Sequence, residues 1–151
     1  MLGEETSLEE AGELLAAAEF GVLGLARASE AYTLPVSFGY DEALESLYFM
    51  LAFEPDSKKR EFIAATDRAS FVVSDSDLPD SWASVFFSGT LSEVPGAREN
   101  EAYAALADNA AFPASYTFAE YIESTDIEQA IYEFAVETVT ARQANPGGLT
   151  D

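Results

Sequence analysis

Three consecutive cations, Lys58-Lys59-Arg60, directly follow Ser57 in a chain with 7 basic residues against 28 acidic ones and a formal net charge of −21. Serine is a favoured residue at a helix start, and Phe62, Ile63 and Ala65 supply apolar contacts, so a helix is predicted over 58–66. The free backbone N–H groups and the positive dipole end of such a helix favour a bound anion. Two ammonium groups would add point charges there, and Arg60 a forked contact, so the chemistry these residues suit is phosphate capture. A solvated helix end whose cations pair with Glu54, Asp56 or Glu61 accounts for the same residues. Cations at a helix N-terminus are electrostatically misplaced unless an anion joins them, which favours a ligand.

A second group lies upstream. Thr33-Leu34-Pro35-Val36-Ser37-Phe38 puts hydroxyls at 33 and 37 on one face of a proline-interrupted strand and Leu34, Val36 and Phe38 on the other. Downstream, Tyr48, Met50 and Ala52 share one face, opposite Leu47, Phe49, Leu51 and Phe53. Faces this rich in aromatic residues serve as core more often than as cofactor platforms. The chain has no cysteine and no histidine, which excludes disulfides, thiolate nucleophiles, Cys/His zinc sites and imidazole-based triads. Carboxylates remain as hard-cation ligands, but no EF-hand spacing is present. An enzyme built from this sequence would leave its hard chemistry to an organic cofactor, and no side chain stands out as its acid or base.

The elements that must position these groups can be read from periodicity. Ser7 and Glu10 form a capping box, and Leu8, Ala11, Leu14, Leu15 and Ala18 recur at helical spacing, predicting a helix over 7–18. Strands are expected at 20–26, 32–40 and 46–53, with Pro35 pointing to an edge or bulge and the glycines of 20–26 to close backbone approach. After the 58–66 helix come a strand at 69–74, an acidic loop at 75–81 and a long strand at 82–94. Alanine-rich helices are expected at 97–108 and 118–123, then a last strand within 127–142, and a frayed tail over 143–151. With 151 residues and 48% hydrophobic composition, the whole chain reads as one domain with a real core. Its fold class is α+β, a mainly antiparallel six-stranded barrel with flanking helices.

In this order the segments resemble the pyridoxamine 5′-phosphate oxidase-like, FMN-binding split-barrel family. Phe20-Gly21-Val22-Leu23 leading to Tyr32-Thr33-Leu34-Pro35-Val36-Ser37-Phe38-Gly39-Tyr40-Asp41 is similar to the family's opening hairpin. Leu47-Tyr48-Phe49-Met50-Leu51-Ala52 followed by Ser57-Lys58-Lys59 is similar to its strand and phosphate-binding segment. Trp82-Ala83-Ser84-Val85-Phe86-Phe87-Ser88-Gly89 resembles the later strand that faces the flavin, and Glu137-Thr138-Val139-Thr140-Ala141-Arg142 the closing strand. The resemblance spans about residues 10 to 142.

The resemblance implies a homodimer with FMN at the interface, acting as an oxidoreductase on a small molecule. Lys58 and Lys59 would contact the phosphate, assisted by Ser57. Thr33, Pro35, Val36 and Ser37 would lie along the isoalloxazine ring. Met50, Leu51 and Ala52 would line the ribityl chain and ring edge, and Ser84 with Val85 would close the pocket. The deazaflavin F420, which also carries a phosphate, is the alternative cofactor, and a flavin-binding module without turnover the alternative role. Two departures limit the transfer. Met50 stands where nitroimidazole-resistance-type relatives carry a histidine, and the chain lacks the C-terminal arginine and histidine segment that grips pyridoxamine phosphate in the oxidase itself.

The charge balance sets the remaining expectations. So few cations argue against nucleic-acid binding. The acidic start Met1-Leu2-Gly3-Glu4-Glu5 and the short apolar stretch 14–26, interrupted by Glu19, argue for a cytoplasmic protein without a signal peptide or membrane span. A surface this negative repels itself unless salt screens it, which points to a salt-rich cytoplasm such as that of halophilic archaea. The unfolding midpoint is expected to climb as KCl rises from low to molar concentration; equal stability at both ends would overturn that reading.

Overall fold

A computed structural model of the chain describes residues 4–5, 12, 14–15, 18, 20–41, 45–54, 56–78, 81–107 and 128–143. Seven strands pair in one antiparallel sheet: β1 (Glu4–Glu5), β2 (Phe20–Arg27), β3 (Glu30–Asp41), β4 (Ser46–Phe53), β5 (Ala69–Leu78), β6 (Ser81–Glu93) and β7 (Glu128–Gln143). Two helices are described, α1 (Lys58–Ala65) and α2 (Glu99–Ala107), the second entered through a short 3-10 turn at Gly96–Arg98. The sheet order is β1-β7-β4-β3-β2-β5-β6, and β7 also pairs with β6. That last pairing closes six strands into a barrel, and β1 is a two-residue extension on β7.

Strand alternation builds the core. Leu23, Leu25, Leu34, Val36, Phe38, Leu47, Phe49, Leu51, Phe71, Val73, Val85, Phe87 and Phe134 all point into the barrel and are buried. Burial of this aromatic and aliphatic surface is the main term that favours the closed form. Phe71 lies at the centre, with Phe49, Phe38 and Phe87 rings at 4.9, 5.3 and 6.2 Å. A smaller cluster sits outside the barrel wall, where Ala102 and Leu106 of α2 cover Tyr48, Val94 and Ile131.

The predicted bounds of β2, β3, β4, β6, β7 and α1 agree with the structure to within two residues. Pro35 sits where β3 is paired to β2 alone, because pairing with β4 begins only at Phe38. The acidic loop expected at 75–81 is a correction: β5 runs on to Leu78 and β6 starts at Ser81, with Asp75 and Ser76 paired to Ala83 and Trp82. Asp75 is exposed at this end of β5, and composition alone reads so polar a stretch as a loop. Regular alternation also breaks along the last strand. Ser88 pairs with Thr138 and Gly89 with Val136, so Glu137 is an extra residue in β7, a bulge that switches which side chains face inward. The helix expected at 7–18 is helical at Gly12, Leu14 and Leu15, and its capping box lies outside the described residues. The helix at 118–123 and the tail beyond Gln143 lie outside them too.

Close backbone approach requires glycine at positions 39 and 89. A Cβ on Gly89 would overlap the Ala135 carbonyl at the bulge, and one on Gly39 would overlap the Ala105 carbonyl of α2. No helix among the described residues is long and apolar enough to cross a membrane. Gly39→Ala is expected to lose about 1–3 kcal/mol in denaturant unfolding through forced separation of α2 from β3. Gly96→Ala, with no neighbour within 4 Å of the added carbon, should change little by comparison.

Candidate functional site

β3 and β4 form only the pairs Phe38–Phe49, Gly39–Tyr48, Tyr40–Leu47 and Asp41–Ser46. Beyond Phe38 and Phe49 each strand keeps a partner on one side alone: residues 30–37 stay with β2, and 50–53 stay with β7. Helix α1 spans this split. Phe62 is fully buried and stacks on Tyr32 of β3 at 5.2 Å, while Lys59 Nζ donates to the Ala52 carbonyl of β4 at 2.9 Å. Thr66, just past the helix, accepts from the Ala26 amide at 3.2 Å and so ties the other end to β2. The helix start is capped as predicted, with Ser57 Oγ accepting from the Arg60 amide at 3.2 Å.

The three cations fan out from this helix start, and their partners differ from the near neighbours expected from the sequence. Lys58 Nζ lies 2.8 Å from Glu30 on β3, and Lys59 is held by the Ala52 carbonyl. Arg60 pairs with Glu128 at the beginning of β7 and lies over the Phe53 ring at 5.5 Å. Neither Glu54 nor Asp56 takes part in these pairs, and Glu61 is bound to Arg27 instead. The Lys58 ammonium, hydrogen-bonded to Glu30 and close to it in charge, holds the Glu30 carboxyl below its ordinary value. Lys58 remains the most solvent-facing of the predicted phosphate ligands, its side chain 57% exposed.

The other predicted site residues divide by strand face. Thr33 and Pro35 are exposed and Ser37 half-buried on the outer face of β3, beside the split, with Met50 and Ala52 half-buried on the outer face of β4. Val36 and Leu51 point into the barrel core, so only their backbones face a ligand in the split. Ser84 is half-buried on the outer face of β6, and Val85 is fully buried inside. Two strands, β2 and β5, separate β6 from β3. At an inter-strand spacing of about 4.8 Å, Ser84 stands roughly 14 Å from the Ser37 row, so one barrel does not bring it to Lys58 and Thr33.

Between these groups the outer wall is apolar. Pro35, Val22, Val72 and Phe86 stand in one cross-strand row, with Phe20 beside them; Phe20 is 55% and Phe86 51% exposed. Phe20, Gly21, Val22, Val72, Ser74 and Asp75 line a cleft of about 340 Å³ closed on one side by Leu14 and Ala18. Among the described residues, no group of three potential metal ligands converges.

Sequence reasoning missed one polar network. Arg98 donates to both carboxylate oxygens of Glu133 at 3.1 and 3.2 Å, and Ser46 and Tyr48 donate to the same carboxylate at 2.8 and 3.3 Å. The network fastens the entry of α2 to β4 and β7, near the strands that flank the split. The hydrogen-bonded Arg98 guanidinium holds the Glu133 carboxyl below its ordinary value. Burial, followed by the Glu133 charge, pushes the Tyr48 phenol up. No local signal marks this network, since Tyr48 and Glu133 meet only through strand pairing.

A closed six-stranded barrel with a split bridged by a capped helix defines a split-barrel protein. A family model described as pyridoxamine 5′-phosphate oxidase matches residues 7–143. The chain belongs to that family. Among solved structures, an FAD-binding protein from Mesorhizobium loti superposes with a TM-score of 0.69 at 21% identity, covering 96% of this chain and 100% of that one. An FAD-binding protein from Mycobacterium smegmatis gives 0.68 at 16% identity, covering 94% and 98%. An FAD- and heme-binding protein from the same organism gives 0.67 at 16%, covering 93% of this chain and 72% of that one. No curated protein matches the sequence.

The lowered Glu133 carboxyl has a pH consequence of fixed sign. Its stabilising contribution is complete above the unfolded-state value near 4.5 and is lost as pH falls through the lower folded value. Glu133→Gln is therefore expected to be less stable than the wild type at pH 7, with the difference shrinking on acidification below about pH 4. Urea titrations at pH 7 and pH 3.5 check this.

Proposed function

We propose that this chain is a flavoprotein oxidoreductase that binds FMN, with the phosphate at Ser57, Lys58 and Lys59 and the ring along the outer face of β3. The observation that carries the proposal is the solvent-facing Lys58 ammonium at a capped helix start that spans the β3–β4 split. The donor set fits the group: a hydroxyl, two ammoniums and helix N–H groups suit a phosphate dianion. Thr33 and Ser37 offer hydroxyls, and Pro35 and Met50 apolar contact, to a flat polar ring lying across the split. FMN, when bound, supplies the electron transfer, and the chain supplies binding, orientation and shielding from water.

The apolar row of Pro35, Val22, Val72 and Phe86 supports a homodimer. In it, a second copy would cover this wall and bring its own Ser84 and neighbouring β6 backbone to the ring, a reach one barrel lacks. The substrate would be a small molecule entering beside the ring. A cytoplasmic location agrees with this reading.

Lacking histidine and cysteine, the chain offers few side chains for proton transfer, which favours direct electron exchange or a binding role without turnover. Purified protein is expected to gain a flavin absorbance band on adding FMN and to run as a dimer; a chain that stays colourless with FMN would end the proposal. Binding of F420 in preference to FMN would keep the site and change the cofactor. Lys58→Glu is expected to weaken FMN by about 2 kcal/mol, roughly thirtyfold, and to leave riboflavin binding nearly unchanged.

A further inference from the structure

We infer that Glu30 competes with phosphate for Lys58, so that a bound phosphate must displace this carboxylate and Glu30 sets the affinity of the site. The inference rests on the phosphate reading of Lys58 given above. Each cation at the helix start already has an acceptor in the chain: Glu30 for Lys58, the Ala52 carbonyl for Lys59 and Glu128 for Arg60. These three acceptors are not equally easy to give up. Lys59 can keep the Ala52 carbonyl and turn another of its three N–H donors to a phosphate, whereas taking Arg60 away would release the start of β7.

Glu30 differs because it has a second cation in reach. The two-residue turn Ala28-Ser29, with Ala28 at φ 53°, sets Arg27 directly opposite Glu30 in the β2–β3 register. Arg27 Nη2 lies 3.8 Å from Glu30 Oε1, and its Nη1 reaches Glu61 at 3.3 Å. When Lys58 swings to an anion, the Glu30 charge stays compensated by Arg27. Lys58 and Glu30 are both more than half exposed, so the exchange needs no buried group to move. In a chain this acidic, the carboxylate also keeps the lysine from collecting stray anions weaker than itself.

The test compares FMN and riboflavin affinity by fluorescence quenching in one buffer of fixed ionic strength, for the wild type, Glu30→Gln and Glu61→Gln. Glu61 carries the same charge as Glu30 and lies on the helix that bears Lys58, but it pairs with Arg27 rather than Lys58. Glu30→Gln is expected to bind FMN about threefold to tenfold more tightly, from loss of an exposed ion pair and of one like charge near the phosphate. Its riboflavin affinity, with no phosphate to compete, should match the wild type, and Glu61→Gln should gain less than twofold for FMN. Unchanged or weaker FMN binding by Glu30→Gln overturns the inference while leaving the phosphate site standing. So does an equal gain from Glu61→Gln, which would assign the effect to overall charge. Absence of FMN binding in all three proteins would remove the phosphate reading and this inference together.

Discussion

The separation of β3 from β4 past Phe38 and Phe49 governs the rest of this molecule. An antiparallel hairpin that stayed paired to its ends would give a continuous wall with no place for a helix. Here the two strands are claimed by different neighbours, β3 by β2 and β4 by β7. Backbone groups left facing the gap need partners, and the space itself needs filling. Pro35 has no N–H to satisfy. Lys59 reaches back to the Ala52 carbonyl, and the ring of Phe62 fills the space against Tyr32. Filling the gap with α1 fixes the helix start at its mouth, so the cations stand there because of how the barrel solves a pairing problem.

Much of this was legible in the residues, for identifiable reasons. β4 alternates so regularly from Leu47 to Phe53 that its bounds and inner face follow directly, and Pro35 marked the strand region with a missing partner. Ser57 announced the helix cap. What escaped was long-range. The acceptors of Lys58 and Arg60 are supplied by the β2–β3 turn and by β7, positions that only folding brings near. The bulge at Glu137 is silent in composition, yet it reverses the facing of everything after it. Asp75 and Ser76 look like loop residues because a polar strand end and a loop have the same composition.

Charge is distributed with similar economy. Arg27, Arg60, Arg68 and Arg98 each meet a carboxylate drawn from a different element, so scarce cations act as cross-links between strands and helices. Exposed pairs of this kind contribute little singly and are weakened by salt, whereas the Glu133 carboxylate is half-buried and accepts four hydrogen bonds, two from Arg98 and one each from Ser46 and Tyr48. Folding against a net charge of −21 thus leans on the apolar interior, with its aromatic cluster around Phe71, more than on surface attraction.

The double pairing of β7 has a consequence for biosynthesis. This sixteen-residue strand hydrogen-bonds β4 with its first half and β6 with most of its length, and it follows both of them in the chain. While it is still inside the ribosome, the emerged strands have two open edges and an interior that cannot close. Those edges are templates for pairing with another chain until the last strand arrives. Dense negative charge holds nascent copies apart through that interval, so the same acidity that opposes compaction protects the barrel until its final seam is made.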